Sequence, residues 1–433
     1  MTEKALALID GEHYAEVVTA AFAELPYEIV GAVTLGGAEK LKGDEDYGVP
    51  LYATLAEGLE HAGAAIVVDL SDEPVLTPPE RLRLASRALA AGVPYLGADF
   101  RFEPVPFAPF DVPSLAVIGS GKRVGKTAVA GHVARLLGAR HEVVVVAMGR
   151  GGPSDPVVVD EPPGVEDLLA RARSGAHAAS DYLEDAALAR VVTVGCRRCG
   201  GGLAGAPFVS NVEAGARAAA ARGPDLVVFE GSGAAIPPVD VSARLLVAGG
   251  RQEPELVAGY LGAYRILVSD LVVLTGCEEP LVSPGAVSRL RAAIADVDAE
   301  IPVLATVFRQ RPLESVAGRR IALFTTAPPE IHDRIRGHVE REHGTEVGFV
   351  SGSLSHRKEL RRELATEAVR RAEVYVVEIK AAAIEVVAEA AAERGVDIVF
   401  AENAVLPLDG ELDLDERVRA LADAAVGEPV RAE

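Results

Sequence analysis

Along the first quarter of the chain, the hydrophobic and polar positions follow the pattern of βαβ units. Short apolar runs are separated by longer segments rich in Ala, Leu, Glu and Arg, and the first runs are ALALID, YEIVGAVTL and AAIVVDL. A short apolar run predicts a strand and a longer mixed segment predicts a helix, here first over residues 14–25. The segment FRFEPVPFAPFDVP carries four prolines, which excludes a regular element and indicates a domain boundary near Val112.

Two further series of apolar runs follow this boundary. The second series comprises SLAVIGS, EVVVVAMG, DLVVFEGSG, ILVSDLVVLTG and IPVLATVF, with a helix predicted from Lys126 to about residue 139. These runs are apolar on both faces, which is typical of parallel strands covered by helices on either side. The third series comprises RRIALFTTAP, EVGFVSG, EVYVVEI and DIVFAEN. The sequence therefore predicts three α/β domains, at 1–112, 113–316 and 317–433, the central one with a mostly parallel sheet.

Composition narrows the possible partners. The 433 residues carry a formal net charge of −21. This charge repels nucleic acid and anionic membrane surfaces, so we predict neither as a partner, and an anionic ligand requires a local basic pocket. No apolar run approaches the roughly 20 residues of a membrane span. The N-terminus lacks the pattern of a signal peptide, and three cysteines are too few for a disulfide framework, so we predict a cytoplasmic protein.

The clearest chemical motif is GSGKRVGKT at 119–127, which lies where an apolar strand turns into a helix. Its glycines allow main-chain N–H groups to converge on phosphate oxygens at the helix N-terminus. Lys126 can reach the β- and γ-phosphates, and the Thr127 hydroxyl can bind Mg²⁺. The motif predicts a P-loop domain with ATP and Mg²⁺ as cofactors. The predicted nucleotide-binding residues are Gly121, Lys122, Val124, Gly125, Lys126 and Thr127.

This loop is one residue longer than the common form, which would need Gly where the chain has Ser120. The longer form, G-x-x-x-x-x-G-K-T, resembles the loop of dethiobiotin synthetase and its relatives. The motif FEGSG also resembles the segment with which that family presents a Mg²⁺-binding Glu at a strand end. We therefore predict Thr127 and Glu230 as metal ligands, with turn capping as the alternative role of Glu230. Asp155 is a further candidate for the same ion.

Two arginines beside glycines indicate an anion site in the segment GCRRCGGGLAG. Arg197 and Arg198 are followed closely by Gly200 and Gly201. Guanidinium groups and accessible main-chain N–H groups suit a phosphate or a carboxylate. These four residues are predicted to bind the substrate, with a plain surface loop as the alternative.

Other polar residues follow predicted strands. Arg150 lies in GRGGPSDP, at the strand end where open α/β sheets bind ligands. Together with Lys122 and Lys126, it is predicted to act catalytically on a highly charged substrate. Glu12 and His13 follow the first strand in LIDGEHY and are predicted to bind substrate, with a local hydrogen bond as the alternative role of His13.

Taken in order, five motifs resemble the cyclic 2,3-diphosphoglycerate synthetase family over most of the chain. They are LIDGEHY, GSGKRVGKT, GCRRCGGGLAG, FEGSGAAIPP and PVLATVFRQRPLESVAGRRIALFTTAP. The resemblance implies a ligase reaction in which ATP phosphorylates 2,3-diphosphoglycerate and an intramolecular attack then closes a cyclic pyrophosphate and releases phosphate. It also implies that Arg197 and Arg198 bind this small anionic phosphorylated substrate, and the superfamily favours a homodimer.

Two alternatives stay open at this point. The chain could be a dethiobiotin-synthetase-like ligase that forms an acyl phosphate on another small carboxylate. It could instead be a partner-regulated ATPase switch similar to the chromosome-partitioning proteins, which carry a signature Lys where this chain has Gly121. The absence of that Lys and the two additional α/β domains count against the switch.

Overall fold

The computed structural model describes residues 2–36, 46–175, 178, 180–380 and 383–427. Helices and strands alternate through all of these ranges, and the strands form two sheets, one small and one large. The predicted α/β class with a large, mostly parallel sheet is confirmed. Within the described ranges, no helix combines the length and the apolar character needed to cross a bilayer.

The first sheet is built by the N-terminal residues. Its strands are β1 (Lys4–Ile9), β2 (Glu28–Thr34), β3 (Leu51–Tyr52), β4 (Ile66–Asp69), β5 (Tyr95–Leu96) and β6 (Arg101–Phe102). Its helices are α1 (Ala15–Glu24), α2 (Leu55–His61) and α3 (Pro78–Ala90). The strand order is β3-β2-β1-β4-β5-β6. All neighbours pair in parallel except β5 and β6, so β1 ends at an open carboxyl edge.

The second sheet begins with a parallel unit. Its strands are β7 (Ser114–Gly119), β8 (Val143–Gly149), β9 (Val157–Val159), β10 (Val192–Cys199), β11 (Val209–Ser210), β12 (Leu226–Glu230), β13 (Ala243–Gly249), β14 (Leu271–Thr275) and β15 (Val303–Pro312). Its helices are α4 (Lys126–Gly138), α5 (Val165–Arg173), α6 (Asp181–Ala189), α7 (Val212–Ala220), α8 (Pro254–Ala258), α9 (Gly262–Leu267) and α10 (Pro284–Ala295). The order is β11-β10-β8-β12-β7-β13-β14-β15. All neighbours in this order pair in parallel except β11 and β10, and β9 also pairs antiparallel with β10.

The structure differs from the sequence prediction in this unit at five places. The patterns did not predict β9, β10, β11 or β13 as strands. The run ILVSDLVVLTG, predicted as one strand, is divided between the end of α9 and β14. The other predicted strands of the unit are present, and they are fully buried in β7, β8, β12 and β14.

The C-terminal residues continue the second sheet. They form the strands β16 (Arg320–Phe324), β17 (Glu346–Ser351), β18 (Val374–Glu378) and β19 (Asp397–Pro407). The helices are α11 (His332–His343), α12 (Arg357–Leu364), α13 (Glu367–Arg370), α14 (Glu389–Arg394) and α15 (Leu414–Gly427), and a π-helix spans Ala383–Ala388. The order continues as β15-β19-β18-β16-β17.

Strand β15 belongs to both halves of this sheet. Its beginning pairs in parallel with β14, and residues Thr306–Pro312 pair antiparallel with β19. Strand β19 pairs with the part of β15 that extends beyond the central strands, and it runs in the opposite direction. Strands β18 and β16 run parallel to β19, so their carboxyl ends point back toward the carboxyl ends of the central strands. Ligands of open α/β sheets bind at carboxyl edges, so both halves direct their ligand-binding edges toward a common region. The division into domains at 112 and 316 stays a prediction.

Candidate nucleotide and substrate site

Residues 114–138 fold as a strand, a tight loop and a helix, as a phosphate-binding loop does. The buried strand β7 places the loop at the carboxyl edge of the sheet. Gly125 is the residue before α4 and has a φ of 82°, a left-handed conformation that favours glycine. A Cβ at this position would also lie 2.2 Å from the Phe308 ring. The first N–H groups of α4 lack helical partners, so they are available to bind phosphate oxygens.

Three of the predicted residues meet at the end of β12. Glu230 is the last residue of this strand and is 1% exposed. Its Oε1 atom accepts hydrogen bonds from Thr127 Oγ1 at 2.7 Å and from Lys126 Nζ at 3.2 Å. The pairing of β12 with β7 brings these groups together, although they are about a hundred residues apart in sequence.

A second carboxyl group, that of Asp185 on α6, lies beside Glu230. Asp185 is 2% exposed, and its two carboxyl oxygens, like Glu230 Oε2, have no protein donor. Burial raises the pKa of Asp185 well above its usual range, and the negative charge of the adjacent Glu230 raises this pKa further. Two buried carboxyl groups this close together repel each other when both are charged, so they are stabilised by a shared proton or by a bound cation. The oxygen donors of Thr127, Glu230 and Asp185 therefore fit Mg²⁺.

Arg197 and Arg198 lie in strand β10 and not in a loop. Successive side chains of a strand point to opposite faces, so the structure separates the two guanidinium groups. Arg197 is exposed, and its main-chain N–H donates to Asn211 Oδ1 at 2.7 Å. Arg198 Nη1 donates to the carbonyl of Gly200 at 2.5 Å, and a Cβ on Gly201 would lie 3.4 Å from the same nitrogen. Gly200 and Gly201 therefore both lie next to the guanidinium group of Arg198.

Arg198 belongs to a group of cations beside the loop that follows Glu230. Its Nη2 donates to the carbonyl of Ser232 at 2.7 Å. A Cβ on Gly233 would lie 3.3 Å from Arg198 Nη2 and 3.5 Å from Lys122 Cγ. Burial lowers the pKa of Arg198, and the nearby charge of Arg150 lowers this pKa further. The structure therefore brings Lys122, Arg150 and Arg198 together, as a local basic pocket in an acidic protein.

Three predicted site residues lie apart from this group. Asp155 is exposed, and its carboxylate accepts from Ser154 Oγ at 3.4 Å. In the N-terminal sheet, Asp10 Oδ1 lies 3.2 Å from His13 Nδ1 and accepts from the main-chain N–H of Glu12. In the described part of the chain, no hydrogen bond or ion pair joins these residues to the phosphate-binding loop. Their predicted roles stay predictions.

The other side of the phosphate-binding loop borders an open cleft. The carbonyl of Val124 accepts from Thr275 Oγ1 at 2.7 Å, and Ser120 Oγ donates to Gln252 Oε1 at 2.6 Å. A Cβ on Gly121 would lie 3.6 Å from Gln252 Nε2. Beyond Gln252, the cleft has a volume of about 370 Å³. It is lined by residues 250–254, residues 280–283, Ala286 and Arg289.

Comparison with known proteins identifies the family. Residues 4–103, 114–307 and 312–404 match, in turn, the N-terminal domain, the P-loop domain and the C-terminal domain of cyclic 2,3-diphosphoglycerate synthetase. The chain belongs to the cyclic 2,3-diphosphoglycerate synthetase family. The predicted family is thereby confirmed, and with it the prediction of an enzyme with a nucleotide-binding P-loop domain.

Relatives in this family match nearly the whole chain. Cyclic 2,3-diphosphoglycerate synthetase of Rubrobacter xylanophilus is 50% identical over 426 residues, which cover 94% of this chain and 96% of the relative. The protein of the same name from Thermococcus gammatolerans is 44% identical, with 98% of both chains covered. A solved structure of LpxK from Aquifex aeolicus with ATP has a TM-score of 0.43 at 13% identity, over 74% of this chain and 90% of LpxK. The homodimer and the cytoplasmic location stay predictions.

Arg265, which no sequence motif of the synthetase family had indicated, links the two loops beside the site. It lies on α9 and is 5% exposed. Its Nε donates to the carbonyl of Ala234 at 2.9 Å, and its Nη2 donates to the carbonyl of Leu203 at 3.1 Å. Burial lowers the pKa of Arg265 to about 10. Because main-chain carbonyls of both loops accept hydrogen bonds from Arg265, this side chain fixes the loop after β12 to the loop after β10.

Proposed function

We propose that this protein uses ATP and Mg²⁺ to convert 2,3-diphosphoglycerate into cyclic 2,3-diphosphoglycerate, with ADP and phosphate as the other products. The observation that carries the proposal is the position of Glu230. On one side it contacts Thr127 and Lys126, and the loop that follows it reaches Arg198 and Lys122. A phosphate-binding loop and a second basic pocket are therefore adjacent. The relatives that match nearly the whole chain are named cyclic 2,3-diphosphoglycerate synthetase, which supports the choice of substrate.

In this proposal ATP binds along the carboxyl edge of the second sheet. The loop at 119–127 holds its phosphates through main-chain N–H groups and Lys126. The cleft beyond Gln252 receives the base and ribose, and its volume of about 370 Å³ lies within the usual range of small-molecule sites. Thr127, Glu230 and Asp185 hold Mg²⁺, which neutralises charge on the ATP phosphates when bound.

The chemistry requires cations because the negatively charged phosphates of the substrate repel one another and also repel the phosphates of ATP. In the first step the γ-phosphoryl group moves from ATP to one substrate phosphate, and ADP leaves. In the second step an oxygen of the other substrate phosphate attacks the phosphorus of the capped phosphate, and the transferred group leaves as phosphate. Lys122, Arg150 and Arg198 offset the repulsion between the phosphates in both steps. Because both phosphates share a three-carbon frame, orientation can lower the barrier by about 7 to 11 kcal/mol.

The reaction is tested directly by phosphorus NMR of the protein with ATP, Mg²⁺ and 2,3-diphosphoglycerate. We expect the two substrate signals to be replaced by a pair of coupled signals in the pyrophosphate range, together with ADP and phosphate. A mixture without ATP is the control, and it should keep the substrate signals. If ADP and phosphate form while the substrate signals persist, the protein hydrolyses ATP and the proposed function is wrong.

Arg198→Ala is expected to raise KM for 2,3-diphosphoglycerate by about tenfold, which corresponds to the loss of a charge-assisted hydrogen bond. KM for ATP should change much less, because Arg198 lies beside the Glu230 loop and not in the nucleotide loop. Steady-state kinetics with each substrate varied in turn measure both values.

Arg197→Ala is the matched comparison for this prediction, since the neighbouring side chain points to the opposite face of β10. We expect a clearly smaller effect on KM for 2,3-diphosphoglycerate. Equal effects of the two variants, or equal changes in both KM values, would remove Arg198 from the proposed substrate site.

A further inference from the structure

Lys380 connects the C-terminal half of the large sheet to the nucleotide site. It lies two residues after the end of β18, at the carboxyl edge that points back toward the central strands. Its Nζ donates to both carboxylate oxygens of Glu184, at 2.6 and 2.9 Å. Glu184 belongs to α6, the helix that also carries Asp185. The ion pair therefore crosses from one half of the sheet to the other.

The ion pair between Lys380 and Glu184 lies among several other carboxyl groups. Burial raises the pKa of Glu184, the cation of Lys380 lowers it, and the negative charges of Asp181 and Glu230 raise it again. Several carboxyl groups of α6 thus lie close to Glu230, and like charges repel one another strongly where water is scarce. The two hydrogen bonds from Lys380 to Glu184 hold α6 next to Glu230 against this repulsion.

Two neighbouring residues of α6 face different partners: one faces Lys380 and the other faces Glu230. Consecutive side chains of a helix point about 100° apart, so Glu184 can face Lys380 while Asp185 faces Glu230. The helix also packs on α4, which begins with the phosphate-binding residues, and on β19 of the C-terminal half. A contact on the Glu184 side therefore sets the position of Asp185 on the other side.

We propose that Lys380 is a positioning residue of the nucleotide site, which acts through Glu184 to hold α6, and with it Asp185, against Glu230. This inference rests on the proposed function, because it takes Glu230 and Asp185 as residues that bind the metal with ATP. It assigns the C-terminal half a part in nucleotide binding, although the phosphate-binding loop itself lies wholly in the central unit.

The test compares Lys380→Met and Lys380→Arg with the wild type. We expect Lys380→Met to raise the Mg²⁺ concentration for half-maximal activity by about fivefold and to lower kcat by a similar factor, in the range of indirect coupling. KM for 2,3-diphosphoglycerate should change less than about twofold, since Lys380 does not lie in the basic pocket. Lys380→Arg keeps the charge and should retain most of the activity.

Three further variants separate a positioning role of Lys380 from a general loss of stability. Lys358→Met removes an exposed lysine from α12 of the same half and should leave every parameter unchanged. Glu184→Gln should resemble Lys380→Met, and the double variant should be no worse than either single one, because both changes break one interaction. If Lys380→Met behaves like Lys358→Met, or if the effects of the two single changes add fully, the inference is overturned.

The inference and the proposed function can fail separately. Binding of Mg²⁺ with a non-hydrolysable ATP analogue is measured by calorimetry on the same variants, so no turnover is needed. A weaker Mg²⁺-dependent affinity in Lys380→Met, restored in Lys380→Arg, supports the positioning role even if the wild type forms no cyclic product. Unchanged affinity in Lys380→Met overturns the positioning role even if the wild type does form that product.

Discussion

Lys126→Ala is expected to lower turnover by about a hundredfold, the typical effect of removing a charge that stabilises a transition state. Lys126 is the first residue of α4, and its ammonium group already lies in the site, 3.2 Å from Glu230 Oε1. Phosphoryl transfer depends mainly on positioning and on charge stabilisation, so the loss should appear in kcat. The rate of ADP formation at saturating ATP, Mg²⁺ and 2,3-diphosphoglycerate measures it.

The same substitution removes an ionic partner of the buried Glu230, so the fold must be checked in parallel. Thermal unfolding of Lys126→Ala and of Lys358→Ala, an exposed lysine on α12, shows whether the chain stays folded. A folded Lys126→Ala variant with near-normal turnover would contradict the nucleotide-loop assignment.

Glu230→Gln is expected to raise the Mg²⁺ requirement by at least about tenfold, because even residues that only support metal ligands change metal affinity by this factor. The amide keeps the volume and one oxygen that can accept from Thr127, while the charge is lost. The Mg²⁺ dependence of initial rates at fixed ATP gives the measurement.

Glu213→Gln provides the matched control, since Glu213 is an exposed residue of α7 paired with Arg217. Its Mg²⁺ titration should coincide with that of the wild type. If the titration of Glu230→Gln also coincides with it, Glu230 has a structural role at the end of β12 and binds no metal.

The parts of the fold that depend on local patterns could be predicted from the sequence. The strand, loop and helix around Lys126 follow from an apolar run, closely spaced glycines and a helical segment, and α4 begins at Lys126 as predicted. Asp185 could not be found in this way, because DYLEDAALA has the pattern of an ordinary amphipathic helix. Its position beside Glu230 depends on how α6 packs against strands that are distant in sequence.

The arginines of β10 show how a local pattern can mislead. Glycines on both sides of CRRC indicate a loop, yet Gly195 lies within strand β10. A Cβ on Gly195 would lie 2.6 Å from the Tyr182 ring, so the close packing of this ring requires glycine there. The close packing of helix α6, and not a turn of the main chain, is the reason for a glycine at position 195. Once the segment is a strand, alternation assigns Arg197 and Arg198 to opposite faces.

The continuous strand β15 also limits how the protein can be divided. The matched family regions end at residue 307 and begin again at residue 312, so the interval between them lies inside β15, Val303–Pro312. A chain cut there would leave β19, eleven residues long, as a free edge without its antiparallel neighbour. Long unpaired edges recruit strands from other molecules. A separately expressed C-terminal fragment would therefore aggregate, so we expect the two halves to fold only together, despite their separate sequence signatures.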